Sequence, residues 1–346
     1  MKISIHSDFK LNGKSFSTVE LIGEANYLVK QGTFFEKGIG HFLLEWLNDE
    51  ENIFLQTSGS TGIPKKIYVS KSAMEASAKA TGEFFNLKPG NTALLCLSAE
   101  YIAGKMMLVR AMVLGLSLDY VEPNSNPLDG NTSNYDFLAL VPLQVAASIP
   151  FLNRIKYLII GGAKLNVQLI QQLEDVSTAI YETYGMTETV SHIALKRLGE
   201  PYFTLLPSIE ISLDNRGCLV IHAPSLHTEP IVTNDIVDLV SANQFKLKGR
   251  VDNIINSGGI KIYPEALEEQ LSAFISRRFF FTSEPNAILG EQLILIIEGD
   301  AFEVPASFFA KFSKFQLPKK IYFISDFVET PTKKINRALT KALLKR

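Results

Sequence analysis

LQTSGSTGIPKKIYVS, residues 55–70, sits where an apolar run meets a cluster of glycines, hydroxyls and lysines. NIFLQTS (52–58) has the length and composition of a buried strand ending in a Gly-rich turn. Gly59 and Gly62 would let a backbone approach an anion with no Cβ in the way. Thr57, Ser58, Ser60 and Thr61 offer hydroxyls, and Lys65 or Lys66 offers charge. Loops of this kind hold phosphate through backbone N–H groups. The stretch lacks the Gly-Lys-Ser/Thr ending of the common P-loop. A Ser/Gly cluster between two strands is also what a plain loop looks like, so this stretch alone leaves both readings open.

Working outward, strand-length apolar runs alternate with helix-period segments. SKSAMEASAKATGEFF (70–85) is expected to be a helix capped by Ser70, and AGKMMLVRAMVLG (103–115) another. TALLCLS (92–98), SLDYVE, DFLALVP and KYLIIGGA are expected strands. LNVQLIQQLEDV (165–176) has helical period, and STAIYETYGMTE (177–188) returns to the sheet. This alternation predicts an α/β fold with a substantially parallel sheet. After residue 200 the strands GCLVIHAP, IVTNDIVDLV and QFKLKGRV predict an antiparallel sheet or barrel. YPEALEEQLSAF (263–274) is an expected helix with Pro264 near its first position. RFFFTS, QLILIIEG and KKIYFIS are expected strands, and VPASFFAKFSKF and NRALTKALLK expected helices. The chain is therefore divided into a large domain, 1–250, and a small α+β domain, 251–346.

The composition bounds the function. Of 346 residues, 46% are hydrophobic and 20% charged, with a net charge of −2, an ordinary globular balance without the basic footprint of a nucleic-acid binder. The basic tail KKINRALTKALLKR is the local exception. Cys96 and Cys218 lie far apart and are expected to be reduced core thiols. His6, His41, His192, His222 and His227 show no metal-ligand spacing. No secretory signal or membrane-length apolar run is evident, so a cytoplasmic location without a membrane partner is expected.

TSGSTGIPK resembles the phosphate-loop signature of the adenylate-forming superfamily, which includes acyl-CoA synthetases, luciferases and peptide adenylation domains. Further segments resemble that family's signatures in order: IIGGA (159–163), YGMTE (184–188), TND (233–235), GRVDNIINSGGIKIYPEALE (249–268) and PTKKINR (331–337). The resemblance implies a large N-terminal α/β domain with mixed sheets and a small mobile C-terminal domain. The cradle starts at Thr57, well before the family's usual position, so the N-terminal region looks shortened.

The resemblance also implies an activity. A carboxylate is a poor electrophile; the family converts it with ATP into an acyl-adenylate, releasing pyrophosphate, and then transfers the acyl group to a thiol. Residues Thr57–Lys65 would cover the outer phosphates, and Gly161, Gly162 and Ala163 would lie beside adenine. Tyr184 and Gly185 belong to the same nucleotide site, with Tyr184 stacking on the base. Thr187 would donate to the α-phosphate, and Glu188 would hold Mg²⁺. Asp235 and Arg250 would meet the ribose. Asn234 replaces the family's glycine, and its tolerance of left-handed backbone would preserve a turn there. Lys334 would bridge carboxylate and α-phosphate, although Lys333 adjoins it. Asp252 would be the hinge. Ser257, Gly258, Gly259 and Lys261 would face CoA, whether or not the glycines also make a hairpin turn.

LSAEYIAGKMMLVRAM (97–112) looks most like short bacterial o-succinylbenzoate–CoA ligases, whose aromatic substrate has two carboxylates. Lys105, Arg110 and His192 are the candidates for pairing with the second carboxylate. The alternative places Lys105 and Arg110 on a solvated helix face. Other readings stay open: another aryl- or short-chain acyl-CoA ligase, a carrier-protein-loading adenylation enzyme, or a non-catalytic nucleotide-binding paralogue. The oligomeric state stays open too.

Overall fold

The computed structural model describes residues 5–57, 65–330 and 335–345. The chain opens with β1 (Lys10–Leu11) and β2 (Lys14–Ser15), followed by helices α1 (Thr18–Gln31) and α2 (Phe34–Leu47). Residues 18–47 carry no assignment in the sequence reading, yet both helices start at capping boxes. Ser17 and Glu20 exchange side-chain-to-backbone hydrogen bonds, as do Thr33 and Glu36, so each helix satisfies its first orphan donors locally.

The hairpin β3 (Asn52–Thr57) and β4 (Lys65–Ser70) forms a two-stranded sheet of its own. Ile53 and Leu55 are buried while Phe54 and Tyr68 face outward, so the expected buried strand is instead half-buried, with the alternation of a one-sided sheet. The loop residues Ser58, Gly59, Ser60, Thr61 and Gly62 lie outside the described residues.

Next come α3 (Lys71–Phe85), β5 (Thr92–Leu95), α4 (Ile102–Leu114), β6 (Ser117–Tyr120), β7 (Tyr135–Leu140), α5 (Pro142–Ser148), β8 (Ile155–Ile160), α6 (Val167–Gln172) and β9 (Ala179–Gly185). Ser70 caps α3, its hydroxyl accepting from the Ala73 N–H at 3.1 Å. Helix α4 is buried from Gly104 through Met112, which removes the solvated-face alternative for Lys105 and Arg110. The segment 165–176 forms only the short α6, and β9 ends at Gly185 rather than running on to residue 188.

The chain then returns as β10 (His192–Arg197), β11 (Phe203–Leu205), β12 (Glu210–Leu213), β13 (Cys218–His222), β14 (Ile231–Ser241) and β15 (Gln244–Arg250). These antiparallel strands do not make a separate barrel. They extend the parallel strands laterally into a 13-stranded sheet of order β12-β13-β14-β15-β11-β10-β9-β8-β7-β5-β6-β1-β2. The pairs β8–β9, β7–β8, β5–β7, β5–β6 and β1–β6 are parallel. The sequence 6-5-7-8-9 reverses direction between β5 and β7, a topological switch point where the carboxyl ends of neighbouring strands diverge and leave a crevice.

The remaining elements are β16 (Ile255–Ser257), β17 (Ile260–Ile262), α7 (Pro264–Leu271), β18 (Phe279–Asn286), β19 (Gly290–Glu298), β20 (Lys320–Ile324) and α8 (Arg337–Ala342). Their strands form a five-stranded sheet. Alternating residues of β18 and β19 feed its two faces: Phe281, Leu293 and Leu295 on one, Phe280, Ile294 and Ile296 on the other. The helix expected over VPASFFAKFSKF is only a single 3-10 turn, Ala306–Phe309. Phe309 and Phe312 pack together and Phe312 against Phe281, and this aromatic packing outweighs the modest helix preference of Phe and Ser.

Candidate active site

The switch point holds a cavity of about 280 Å³. Leu97 follows β5, Val141 follows β7, Gly161 and Gly162 follow β8, and Gly185 ends β9; all five line it. Thr187, Ile102 of α4 and Val190 complete much of the wall, and Arg110 and His192 border it as well. The structure therefore brings the IIGGA and YGMTE segments together with two of the three residues singled out for the acid.

Arg110 is fully buried at 2% exposure. Its Nη2 donates to Ser191 Oγ at 2.8 Å, its Nε to Thr81 Oγ1 at 3.4 Å, and Nη2 lies 3.5 Å from His192 Nδ1. Among the described residues no carboxylate forms an ion pair with it. Burial lowers the guanidinium to about 10, so the group stays charged at neutral pH. His192 is pushed well below its ordinary 6.5 by burial and by the Arg110 charge, and is neutral. Thr81 donates to the Ser77 carbonyl at 3.0 Å, so it accepts from His192 Nε2–H at 3.3 Å. That network assigns the tautomer and leaves Nδ1 as the acceptor.

Lys105 does not join this group. Its ammonium pairs with Glu45 Oε2 at 3.0 Å and sits 5.0 Å from the Phe42 ring centroid. Lys105 is thereby tied to α2. Ser191 and Thr81, which hold Arg110, were not singled out in the sequence. The signal available was the polar pair Ser77/Thr81, one turn apart inside an otherwise small-residue stretch of α3.

The turn from β9 to β10 is tight. A Cβ on Gly185 would lie 2.4 Å from the Ser191 carbonyl oxygen and 2.6 Å from His192 Cα, so only glycine permits this approach. Val190 adopts φ 67° and ψ −56°, and the Ser191 N–H reaches the Thr189 carbonyl at 2.7 Å. This γ-turn is strained for a β-branched residue. Buried Thr189 braces it, accepting from the Met186 N–H at 2.9 Å. Backbone strain held by a buried brace is typical of functional sites.

On the other side of Gly161 and Gly162 lies a second, more polar cavity of about 300 Å³, which Ala163, Tyr184 and Gly185 also line. Glu269 of α7 closes part of it and stands 3.9 Å from Lys164. Tyr184 packs against Phe203 and Phe245, and its hydroxyl donates to Asp235 Oδ2 at 2.6 Å. Burial and the Asp235 charge hold the phenol protonated. Arg250 lies 3.6 Å from Asp235 Oδ1 and 3.2 Å from Asp252 Oδ2. Asn234 also donates to Asp252 Oδ2, at 3.2 Å. Asn234 and Asp235 sit within β14 in extended backbone, so the left-handed turn expected at Asn234 is absent.

Glu188 is exposed, in the 3-10 turn Thr187–Thr189, and lines neither cavity. Among the described residues no group of three His, Cys, Asp or Glu is placed to hold a metal. Gly258 and Gly259 both have positive φ, 58° and 82°, in the hairpin joining β16 to β17, as a type I′ turn requires. Ser257 and Lys261 flank that turn, and Lys261 is exposed. Thr57 and Lys65 pair across β3 and β4 at the base of the Ser/Gly loop. Lys333 and Lys334 lie outside the described residues. Just beyond them, Ile335 bridges to Glu329, and Arg337 forks onto Glu268 at 2.8 and 2.7 Å.

A sequence model of the family described as AMP-binding enzyme matches residues 26–227, more than half of the chain. The chain belongs to the AMP-binding enzyme family. A solved AMP-forming acyl-CoA synthetase/AMP-acid ligase II-like protein from Dyadobacter fermentans is 37% identical over 92% of this chain and 97% of its own, with a TM-score of 0.63. A 2-succinylbenzoate–CoA ligase of Enterococcus faecalis is 23% identical over 94% of this chain and 79% of its own length. Bacillus subtilis O-succinylbenzoate CoA synthetase in complex with ATP and magnesium is 17% identical, with a TM-score of 0.73 over 83% of this chain and 69% of that one; it shares the fold. In this AMP-binding enzyme, among the described residues, no helix is long and apolar enough to cross a membrane.

Proposed function

We propose that the protein is an ATP-dependent acid–thiol ligase acting on an aromatic acid with two carboxylates, 2-succinylbenzoate being the first choice. The observation that carries this reading is Arg110: a charged guanidinium, buried at the wall of the switch-point cavity, without a carboxylate partner among the described residues. An unmatched buried charge is costly, and leaving one partner of a buried pair alone costs about 3–5 kcal/mol. A substrate carrying its own second carboxylate offsets that cost on binding. The relatives named as 2-succinylbenzoate–CoA ligases support the same choice.

In the proposed reaction the other carboxylate attacks the α-phosphorus of ATP and pyrophosphate leaves. CoA thiolate then attacks the acyl carbon and AMP leaves. The adenine would lie in the polar cavity beside Gly161, Gly162, Ala163 and Tyr184, with the ribose hydroxyls on Asp235 and Arg250. Thr187 would donate to the α-phosphate between the two cavities. Residues Thr57–Lys65 would cover the outer phosphates, and Lys334 would supply the bridging ammonium. Glu188 fits Mg²⁺, which uses one or two carboxylates together with phosphate oxygens and water; the ion would supply charge neutralisation at the phosphates. We assign residues 251–346 to the mobile domain, with Asp252 as its hinge and Ser257–Lys261 as its CoA-facing loop.

A pyrophosphate-release screen over carboxylic acids tests the reading. Turnover is expected with 2-succinylbenzoate, and product accumulation is expected to require CoA. Turnover of simple monoacids with none of the diacid would overturn the substrate choice, and a requirement for a carrier-protein thiol would overturn the acceptor.

A further inference from the structure

His192 borders two chambers. Besides the cavity walled by Arg110, it lines a second one of about 210 Å³, lying against α3 and residues 206–209. It is the one described residue common to both linings. Ser77, 2% exposed, lines the second chamber as well, its enclosed hydroxyl without a hydrogen-bond partner among the described residues. Lys79, Glu83, Ser208 and Ser225 also line this chamber, so it suits an occupant with a polar end. The wall itself is loosely tied: His192 reaches Thr81 at 3.3 Å, Ser191 at 3.3 Å and Arg110 at 3.5 Å, and a register shift follows it in β10.

We propose that His192 is the specificity-determining wall that sets how long an acid the site accepts, and that the Ser77 chamber is the space a longer acid with a polar end enters once that wall is cut back. The inference rests on the ligase reading. In the wild-type protein the imidazole closes the acid cavity beside Arg110, so an acid extended past that point meets the ring. Truncating the ring joins the two chambers, with the polar lining of the second, Ser208 and Ser225 included, available to the extended end.

The test uses benzoates para-extended by rods of increasing length ending in a hydroxyl, with His192→Ala as the main variant. The ratio of kcat/KM for long over short acids is expected to rise about tenfold or more, the scale of one or two methylenes in a pocket. Adding Ala76→Phe, which fills the second chamber from α3, is expected to cancel the gain, whereas Ala76→Phe alone leaves short-acid turnover unchanged. His192→Asn serves if His192→Ala does not fold. An unchanged ratio, or a gain that survives the filling substitution, overturns the proposal. If the wild-type protein turns over no acid, the ligase reading fails on its own. A crystal structure of His192→Ala with the rod-shaped acid then decides the wall: density running past position 192 to Ser77 supports it, and its absence overturns it.

Discussion

Arg110 Nη2 donates to Ser191 Oγ over 2.8 Å across the floor of the switch-point cavity. The two residues are 81 positions apart, on α4 and just before β10, and the strained turn at Val190 delivers the hydroxyl. The hydroxyls of Ser191 and Thr81, the neutral imidazole of His192 and the thioether of Met107, 3.9 Å from Nη1, surround a full positive charge. Among the described residues no carboxylate pairs with that charge, and the second carboxylate of the proposed acid would supply the partner.

Arg110→Met is expected to separate affinity from stability. Turnover of 2-succinylbenzoate, as kcat/KM, should fall by on the order of 10²-fold or more, since a buried ion pair is broken. The melting temperature of the unliganded protein should not fall, because an unmatched buried charge has been removed. A monoacid substrate should be unaffected. Thermal unfolding and steady-state kinetics on the two acids check this.

Tyr184→Phe keeps the ring against Phe203 and Phe245 but removes the donor to Asp235. A hydrogen bond to a charged group contributes about 1.5–3 kcal/mol. KM for ATP is therefore expected to rise roughly tenfold or more with KM for the acid unchanged. An equal rise in both would place Asp235 outside the nucleotide site.

His192 gives a pH signature. Its folded pKa is depressed below 6.5, so the unfolded chain binds the proton more readily. The stability this group contributes is present above 6.5 and declines as the pH falls below it, by up to about 1.4 kcal/mol per pH unit. Denaturant titrations between pH 5 and 8 should show this slope in the wild type, reduced by about one proton's worth in His192→Gln.

Much of the fold was legible where signals are local. Ser70 before α3, Gly115 after α4 and Pro264 opening α7 each mark a helix end by their own chemistry. The boxes Ser17–Glu20 and Thr33–Glu36 were equally readable and predict α1 and α2 in hindsight. What local pattern could not give was lateral pairing. Nothing in GCLVIHAP or QFKLKGRV says that these strands extend the parallel sheet through β10 and β11. The site followed the same division. The glycines beside the cavities stood out in sequence, whereas the grip of Thr81 and Ser191 on Arg110 depends on contacts across 29 and 81 positions. Lys105 could not be separated from Arg110 until Glu45 was seen beside it.

Lys334→Ala should divide the two half-reactions. Adenylation is expected to fall by about 10²-fold or more, the scale of losing one preorganised donor, while thioester formation from supplied acyl-adenylate persists. Stopped assays of each half-reaction read the two rates, and an equal fall in both would remove Lys334 from the bridging role.

The central claim, that this cavity pair joins an acid to the adenylyl group of ATP, is most directly tested by isotope exchange between pyrophosphate and ATP. Label is expected to enter ATP when 2-succinylbenzoate and Mg²⁺ are present and CoA is absent. Failure to exchange with this acid or any other carboxylate, in protein shown to bind ATP, would contradict the account.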